Sequence, residues 1–161
     1  MAGVDGRIAL VTGAGRGIGR AAAELLAERG ARVMCVARSE DELAASGLDY
    51  VATDLATPDG CIHAVEETES KLGTVDILVC NHGLGSAHET VVWEQDPDEW
   101  ARSLRINLDA PFWLSRRVLP AMQQKQFGRL VYTSSTAAIV AEPEGSAYNA
   151  SKSGLLGLMR S

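Results

Sequence analysis

Short runs of apolar, often β-branched residues alternate along the chain with longer segments in which apolar residues recur every three or four positions. The runs are too short and too continuously apolar for surface helices, which indicates strands buried on both faces. The longer segments are flanked by Gly, Pro or Asp and have the period of amphipathic helices. The predicted strands are 8–11, 32–37, 50–52, 75–80 and 129–133, and the predicted helices are 18–29, 40–45, 59–72, 98–124 and 148–160.

This alternating order of strands and helices predicts an α/β fold with one parallel sheet. Strands joined by a crossover helix pair in parallel, and right-handed crossovers place helices on both faces of the sheet. The expected architecture is a doubly wound, three-layer α/β/α sheet. A chain of 161 residues has the length of one such domain, or of part of a larger one, and leaves no room for two independent cores. We therefore predict a single domain over residues 1–161.

The predicted helix 98–124 contains Pro111 and Pro120. Proline fits a first helical turn and disfavours helix in the residue before it, so we expect a break or kink near Asn107. A kink frees backbone carbonyls for other partners. Without further context, Asn107 is more typical of a helix cap.

The charge balance and the cysteines narrow the class of protein. Fifteen Lys and Arg against 21 Asp and Glu give a net charge of −6, which disfavours binding to nucleic acid or to an anionic membrane. No apolar stretch approaches the roughly 18 residues of a membrane-spanning helix, and no signal peptide is recognisable. Cys35, Cys61 and Cys80, an odd number in apolar segments, indicate buried thiols in a reducing compartment. We predict a cytoplasmic protein.

Glycines cluster between the first predicted strand and the first predicted helix, in the sequence 12–19, TGAGRGIG. Glycines at such a turn let the backbone approach a pyrophosphate, whose charge then lies at the helix N-terminus. The spacing is G-x-x-x-G-x-G on Gly13, Gly17 and Gly19, and not G-x-G-x-x-G. A purely structural turn is the alternative, but the position between strand and helix favours a nucleotide site.

The end of the second predicted strand bears on the choice of nucleotide. An acid there binds a free ribose 2′-hydroxyl, whereas an arginine suits a 2′-phosphate. This strand ends in Ala37 and Arg38, with no carboxylate in place, and Arg16 in the glycine loop is a second cation. The pattern favours NADP(H) over NAD(H), unless Arg38 simply begins a solvated turn.

Tyr148 and Lys152 lie four residues apart in a predicted helix, so both side chains share one helix face. Tyrosine is a weak acid with an ordinary pKa of about 10, and a nearby fixed positive charge favours the phenolate. Ser135 ends the fifth predicted strand, at the edge where parallel sheets build their sites. The Tyr-x-x-x-Lys spacing alone occurs by chance in many proteins.

Together, these motifs are similar to those of the classical short-chain dehydrogenases/reductases, including members resembling 3-oxoacyl-carrier-protein reductases. The family motif T-G-x-x-x-G-x-G falls on residues 12–19, and S…Y-x-x-x-K falls on Ser135, Tyr148 and Lys152. The resemblance implies a Rossmann-type fold and identifies Asn107, Ser135, Tyr148 and Lys152 as the catalytic residues. The cofactor-binding residues that it implies are Gly13, Gly15, Arg16, Gly17, Ile18, Gly19, Arg38, Asp54, Leu55, Asn81, His82, Gly83, Tyr148 and Lys152.

Part of this assignment departs from the family pattern. After the fourth strand the family usually has N-N-A-G, and this chain has Cys80-Asn81-His82-Gly83. Cys80 lacks the hydrogen-bonding group of the family's asparagine, which helps to tie neighbouring strands. His82 has an imidazole where the family has a methyl group. We therefore expect an altered cofactor affinity or pocket shape. Asp54 matches a carboxylate that contacts the adenine ring, although an aspartate there is otherwise more typical of a turn.

The resemblance implies hydride transfer between a nicotinamide and a small-molecule carbonyl or secondary alcohol. Ser135 would hydrogen-bond the substrate oxygen while Tyr148 protonates it, Lys152 would hold the nicotinamide ribose, and Asn107 would hold a relaying water. One alternative is a catalytically impaired cofactor-binding paralogue or fragment with a structural or sensor role. Another alternative is an epimerase or dehydratase of the extended type. Members of that type have a T-G-x-x-G-x-x-G loop, which this sequence lacks.

Three further expectations concern ligands and partners. The pairs Cys61/His63 and Cys80/His82 contain zinc-type ligands, but their spacing fits no four-ligand site, so we expect no metal. Segments 84–96 and 136–147 are expected to line the substrate pocket, without a pattern that identifies the substrate. An apolar stripe is expected either to form a homodimer or homotetramer interface, as in the family, or to pack on the sheet: Trp100, Leu104, Leu108, Phe112 and Leu119.

The sequence stops at Ser161 inside a predicted helix, without a glycine or proline stop signal. The resemblance implies further strands and a substrate lid beyond this point. We therefore expect either that this sequence is the first part of a longer polypeptide, or that the 161 residues made alone are unstable and catalytically poor.

Overall fold

A computed structural model of the chain describes residues 3–85, 90–140 and 143–161. The order of elements is the alternation that the sequence predicts. The elements are β1 (Ile8–Thr12), α1 (Gly17–Glu28), β2 (Arg32–Ala37), α2 (Glu40–Ala44), β3 (Asp49–Ala52), α3 (Pro58–Lys71), β4 (Ile77–Cys80), α4 (Pro97–Leu104), a π-helical turn (Arg105–Asp109), α5 (Ala110–Gln124), β5 (Arg129–Tyr132) and α6 (Ser146–Arg160). Short 3₁₀ turns lie at Val92–Glu94 and Thr136–Ala138.

The five strands form one parallel sheet in the order β3-β2-β1-β4-β5. Strands β2 and β3 lie on one side of β1. The chain then crosses back and places β4, followed by β5, on the other side of β1. Thr12, at the end of β1, pairs with Val36 of β2 and with Cys80 of β4. Parallel sheets of this kind bind ligands at such a reversal point, beyond the carboxyl ends of the strands. The predicted Rossmann-type α/β fold is confirmed.

Alternate residues of the central strands face opposite sides of the sheet and enter two separate cores. On one face Leu10 and Leu78 pack with Leu114 of α5. On the other, Val11 and Val79 pack in the cluster that contains Ala23 of α1. All six residues are buried. Burial of each Leu or Val stabilises the fold by about 1.5–3 kcal/mol, so strands apolar on both faces are consistent with this layered fold.

Strand β4 begins at Ile77, two residues later than predicted, and the side chain of Asp76 just before it is engaged with other groups. Its carboxylate accepts the Ile8 N–H at 3.1 Å and lies 3.1 Å from Lys125 Nζ and 3.8 Å from Arg7 Nη1. This cluster ties together the amino ends of β1 and β4. Edge strand β5 is less covered, and Val131 is 48% exposed.

The predicted break in the helix near Asn107 is confirmed as the π turn between α4 and α5. The Ala110 N–H donates to Arg105 O, five residues back, in place of the usual four. Pro111 has no N–H, so the Ile106 carbonyl has no i+5 donor. Asn107 does not cap a helix, since its side chain is buried and bonded to other elements. Pro120 lies inside α5, which continues to Gln124.

The three cysteines are free and buried. Burial raises the pKa of the Cys35 thiol to about 11 and that of Cys61 to about 12, and it also raises the pKa of Cys80. In the described ranges no three His, Cys, Asp or Glu side chains are grouped so that they could hold a metal ion. Nor does any helix within those ranges have the length and apolar character needed to cross a membrane.

Candidate functional site

A cavity of about 410 Å³ opens at the carboxyl ends of the strands, where the order of the sheet reverses. Its walls come from the end of β2, from the loops that follow β1, β2, β3 and β4, and from one residue each of α2 and the π turn. Predicted cofactor residues among its lining are Gly13, Gly15, Arg16, Arg38, Asp54, Leu55, Asn81, His82 and Gly83. Lining residues that the sequence did not single out are Ala37, Ser39, Glu42, Thr53, Ala56, Leu84 and Ile106.

The glycine loop packs so closely on the end of β4 that side chains would not fit. A Cβ on Gly13, whose φ is +66°, would lie 2.8 Å from His82 Cα. A Cβ on Gly19 would collide with the Gly13 carbonyl and come within 2.6 Å of Asn81 Nδ2. Gly17 has a φ of +58° but open space around it, so there the backbone angle favours glycine. Gly17, Ile18 and Gly19 lie outside the lining of the cavity.

Helix α1 begins beside this loop with its first N–H groups available. Arg16 precedes the helix without a side-chain capping bond, and the first turn holds no acid. Uncapped N–H groups at the positive end of a 12-residue helix are suited to an anionic ligand. The glycine cradle and this helix end together fit the pyrophosphate of a dinucleotide.

The far end of the cavity contains charges of both signs. Arg16 and Arg38 line it, and so does Glu42 of α2. The Glu42 carboxylate approaches the glycine loop closely, since a Cβ on Gly15 would lie 2.8 Å from Oε2. Asp54 also forms a turn, in which Oδ1 accepts the Ala56 N–H at 3.0 Å. The turn and the ligand-facing interpretations of Asp54 are therefore compatible.

The segment after β4 is fixed to β1 and to the residue after β5. Thr12 Oγ1 accepts the Asn81 N–H at 3.1 Å and lies 2.6 Å from His82 Nδ1. Asn81 Oδ1 accepts the Thr133 hydroxyl at 3.1 Å. Gly83 brings the backbone up to the polar centre beyond, because a Cβ there would lie 3.1 Å from Asn107 Oδ1 and 3.4 Å from Lys152 Nζ.

Asn107 is only 1% exposed, and its side chain joins three elements. Its Oδ1 accepts the Leu84 N–H at 2.8 Å, and its Nδ2 donates to the Leu84 carbonyl at 2.9 Å. Nδ2 also lies 3.1 Å from Ser151 Oγ in α6 and 3.4 Å from Ser103 Oγ in α4. The π turn, the loop after β4 and helix α6 are thereby held together at one amide.

Lys152 is also buried, at 5% exposure, and burial lowers the pKa of its ammonium. Nζ donates to the Thr133 carbonyl at 2.9 Å and lies 5.7 Å from the centre of the Tyr148 ring. Tyr148 lines a second, smaller cavity of about 50 Å³, which includes Leu84 and Ser103. Leu84 also lines the larger cavity, so the two cavities meet at this residue.

Ser135 stands somewhat apart from this centre. Its Oγ accepts the Ala137 N–H at 3.2 Å and begins the 3₁₀ turn Thr136–Ala138. It lines neither of the two cavities. The hydroxyl proton is not used in that bond, so Ser135 can still donate to a ligand oxygen. Residues 86–89 and 141–142, which belong to the predicted substrate walls, lie outside the described residues.

Sequence reasoning missed several residues that shape the site. Ser103 stands four residues before Asn107, a helical spacing that could have indicated a partner. Ser151 had no such signal because its bond to Asn107 joins distant parts of the chain. Leu84 belongs to the predicted pocket segment 84–96, but its bonds to Asn107 were not predicted, for the same reason. The acid Glu42 in α2 could have been found by asking which residues follow the second strand.

Comparison with known proteins agrees with this geometry. A family model described as short chain dehydrogenase matches residues 7–161. The 3-oxoacyl-acyl-carrier-protein reductase of Escherichia coli strain K12 is 37% identical over 164 residues, which cover 98% of this chain and 66% of that protein. The 2-dehydro-3-deoxy-L-rhamnonate dehydrogenase (NAD(+)) of Sphingomonas sp. strain SKA58 is 38% identical over 162 residues, which cover 97% of this chain and 64% of that protein. The chain thus spans slightly less than two thirds of either relative.

Solved structures are similar over nearly the whole chain. The crystal structure of a metagenomic short-chain oxidoreductase in complex with NADP matches with a TM-score of 0.91 and 36% identity, covering 98% of this chain and 75% of that one. The apo form of LigO from Sphingobium sp. strain SYK-6 matches with a TM-score of 0.90 and 25% identity, covering 99% of this chain and 63% of that one. With the fold, the glycine loop and the match over residues 7–161 in agreement, the chain belongs to the short-chain dehydrogenase family.

Proposed function

We propose that the chain is the dinucleotide-binding domain of an NADP(H)-preferring oxidoreductase that interconverts a small-molecule carbonyl and a secondary alcohol. The observation that carries the proposal is the meeting of two cavities at Leu84. One has a glycine-lined wall suited to a dinucleotide, and the other reaches Tyr148. The relatives support an oxidoreductase, since one bears the name of a reductase and another that of a dehydrogenase.

The larger cavity would hold the nicotinamide dinucleotide with its pyrophosphate at the glycine loop and α1. Gly13 and Gly19 let the backbone come close, and the uncapped end of α1 offers N–H donors. Gly83 would leave room beside Asn107 and Lys152 for the reacting end of the cofactor. When bound, the nicotinamide would donate or accept the hydride.

Tyr148 is the proposed proton donor to the carbonyl oxygen, and in the reverse direction its phenolate accepts the alcohol proton. The ammonium of Lys152 lies 5.7 Å from the centre of the Tyr148 ring, so the two side chains face the site together. Ser135 would donate its free hydroxyl proton to the same substrate oxygen. Asn107 holds Leu84 between the two cavities, and its side-chain bonds fix the loop that separates cofactor from substrate.

The preference for NADP(H) rests on Arg16 and Arg38 in the adenosine end of the cavity. Two guanidinium groups are suited to a 2′-phosphate. Glu42 lines the same end and opposes an added negative charge, so we expect a preference and not an exclusive choice. A related structure holds NADP, whereas the name of one relative specifies NAD(+).

A second copy of the chain is the proposed protein partner. Phe112 and Leu119 of α5 are 46% and 45% exposed, whereas Leu114 and Val118 of the same helix are buried in the sheet core. This part of the apolar stripe therefore does not pack on the sheet. We propose that it forms a homodimer or homotetramer contact, which light scattering at micromolar concentration tests by the mass of the particle.

The cofactor assignment is tested by titrating NADPH and NADH into the protein and following their fluorescence. We expect tighter binding of NADPH, and Arg38→Asp should reverse the order by removing a phosphate partner and adding repulsion. Arg29→Asp, at the far end of α1, serves as a control of equal charge change and should leave the order intact. Binding of neither cofactor would refute the dinucleotide site.

The reaction is tested with a panel of ketones and secondary alcohols, read by the absorbance of the reduced cofactor. Turnover of any member supports the proposed oxidoreductase. Tight cofactor binding without turnover, on a panel that includes 3-oxoacyl thioesters, would favour the sensor or structural alternative.

A further inference from the structure

Helix α6 carries Tyr148 and Lys152, and its first turn has no side-chain cap, since Gly145 precedes the helix. Contacts to other elements hold this turn instead. We propose that Ser151 is a positioning residue, whose hydroxyl joins α6 to the Asn107 amide and so fixes Tyr148 relative to the loop between the two cavities. This inference rests on the proposed function, and it concerns a residue to which that function gives no role.

Ser151 is fully buried, and its hydroxyl makes two hydrogen bonds. Its Oγ donates to the Tyr148 carbonyl at 2.8 Å, three residues earlier in the same helix. That bond uses the one hydroxyl proton, so the oxygen is left as an acceptor. Asn107 Nδ2 lies 3.1 Å away and donates to it. Ser151 is therefore bonded both to the backbone of the proposed proton donor and to the amide in the π turn.

The orientation of the Asn107 amide is set by Leu84. Because Oδ1 accepts the Leu84 N–H at 2.8 Å, the NH₂ group is at the other end, where Nδ2 donates to the Leu84 carbonyl at 2.9 Å. Nδ2 has two hydrogens and three oxygens nearby, of which Ser103 Oγ, at 3.4 Å, is the most distant. The two shorter contacts are those to Leu84 and Ser151. The second N–H of the amide therefore belongs to Ser151.

Helix α6 is fixed to the segment after β5 by the residue that follows Ser151. Lys152 Nζ donates to the Thr133 carbonyl at 2.9 Å, and the Lys152 carbonyl accepts the Ser134 hydroxyl at 3.1 Å. These two bonds hold the helix at the end of the sheet, and the Ser151 bond holds it at the π turn. Tyr148 lies about one helical turn before both residues, so its position depends on both attachments.

Removal of the Ser151 oxygen would release one of these attachments. One Asn107 N–H would lose its acceptor and would be left with the more distant Ser103 Oγ, which lies on α4. The helix backbone packs directly on the π turn, since a Cβ on Gly154 would lie 2.7 Å from Leu108 Cδ2. The freedom gained would therefore be a small shift of α6 along the turn. Such a shift moves the proton donor relative to the bound substrate.

Turnover tests this role with Ser151→Ala and a matched control, Ser115→Ala. Ser115 is also buried, its Oγ donates to the Pro111 carbonyl at 2.6 Å in its own helix, and it lies 2.7 Å from the Tyr132 hydroxyl. We expect Ser151→Ala to lower kcat about tenfold, because misplacement of a reacting group slows the reaction, while the Kd of NADPH and the KM of the carbonyl substrate change less than about threefold. Ser115→Ala should lose similar stability but keep kcat within about twofold. Equal kcat values in the two variants would overturn the proposal.

Nuclear magnetic resonance gives a readout that needs neither cofactor nor turnover. The Asn107 side-chain N–H should exchange with solvent at least about tenfold faster in Ser151→Ala than in the unmodified protein, and the Tyr148 ring signals should shift. Both should stay unchanged in Ser115→Ala. An unchanged Asn107 exchange rate, or unchanged Tyr148 signals, would refute the positioning role. Failure of the unmodified protein to bind either cofactor would instead refute the proposed function, while these signals would still decide whether Ser151 positions Tyr148.

Discussion

The two ends of the site are built in opposite ways. At the glycine loop the site depends on missing side chains, since a Cβ on Gly13 or Gly19 would meet backbone atoms of the chain. At the other end it depends on buried polar side chains, and Asn107 and Lys152 each bond to backbone groups of distant segments. The residues of the first end are therefore consecutive in the sequence, although Gly13 packs against the distant His82, whereas the second end is assembled from side chains of several segments.

This difference determines how each end responds to substitution. A change in the glycine loop acts through steric overlap, which one added methyl group is enough to produce. A change at the polar end acts through unpaired donors and acceptors, each costing about 1–3 kcal/mol when buried. The four predictions below test this contrast.

The largest effect is expected at Tyr148. Among the described residues its hydroxyl has no hydrogen-bond partner, so Tyr148→Phe should leave the fold and the cofactor Kd unchanged. Loss of the proton donor should reduce kcat by about 10²–10⁴-fold. Tyr132→Phe is a matched control, since that hydroxyl lies 2.7 Å from Ser115 Oγ and should affect stability but not turnover. Steady-state kinetics of both variants decide it, and a Tyr148→Phe enzyme with most of its kcat would exclude the assignment.

The second-largest effect is expected from acidic pH, which should lower the stability of the fold at the polar end of the site. The pKa of His82 falls from its ordinary 6.5 to about 4 on folding, so between these values the unfolded chain binds the proton first. Stability should thus fall as the pH falls through this window, by about 3 kcal/mol once the pH is below 4. Urea unfolding from pH 7 to 4 measures it. His82→Gln should remove this part of the pH dependence of the free energy of unfolding. The same pH dependence in both proteins would contradict the prediction.

Gly19→Ala tests the steric end. The added methyl group would collide with the Gly13 carbonyl, so we expect a loss of about 1–3 kcal/mol in the free energy of unfolding and weaker cofactor binding. Gly157→Ala in α6 is the matched control, because no atom lies within 4 Å of its Cβ position. There the higher helix propensity of alanine should stabilise by up to about 1 kcal/mol. Similar losses in the two variants would show that packing at the loop is not the cause.

The smallest effect is expected at the far end of the larger cavity, where side chains of both charge signs lie. Glu42→Gln removes an acid that lines the cavity with Arg16 and Arg38. The side chain is exposed, so solvent screens it and the affinity for NADPH should rise only about two- to fivefold. NADH affinity should fall or stay the same. A parallel rise for both cofactors would mean that Glu42 does not distinguish them.

Much of the fold could be predicted because the relevant signals are local. Strand and helix periods, the glycine run after β1 and Pro111 after Asn107 each act within a few residues. The predicted start of the fourth strand at residue 75 was two residues early, because the apolar run does not define where a strand ends to within a residue or two.

The site was predictable as a set of residues but not as an arrangement. Spacing suggested Asn107 as a helix cap, whereas the folded chain places its amide against Leu84 and Ser151. Spacing also could not show that His82 meets Thr12, 70 residues earlier in the chain. The catalytic assignments of Ser135 and Tyr148 stay predictions until variants are measured.

The three buried cysteines give the protein a built-in reporter of opening. At neutral pH their raised pKa values leave almost no thiolate, so alkylating reagents can react only when the surrounding structure opens. Cys35 lies in β2, Cys61 in α3 and Cys80 at the end of β4. The three labelling rates would therefore rank how often the inner strand β2, the covering helix α3 and the end of β4 below the site become exposed.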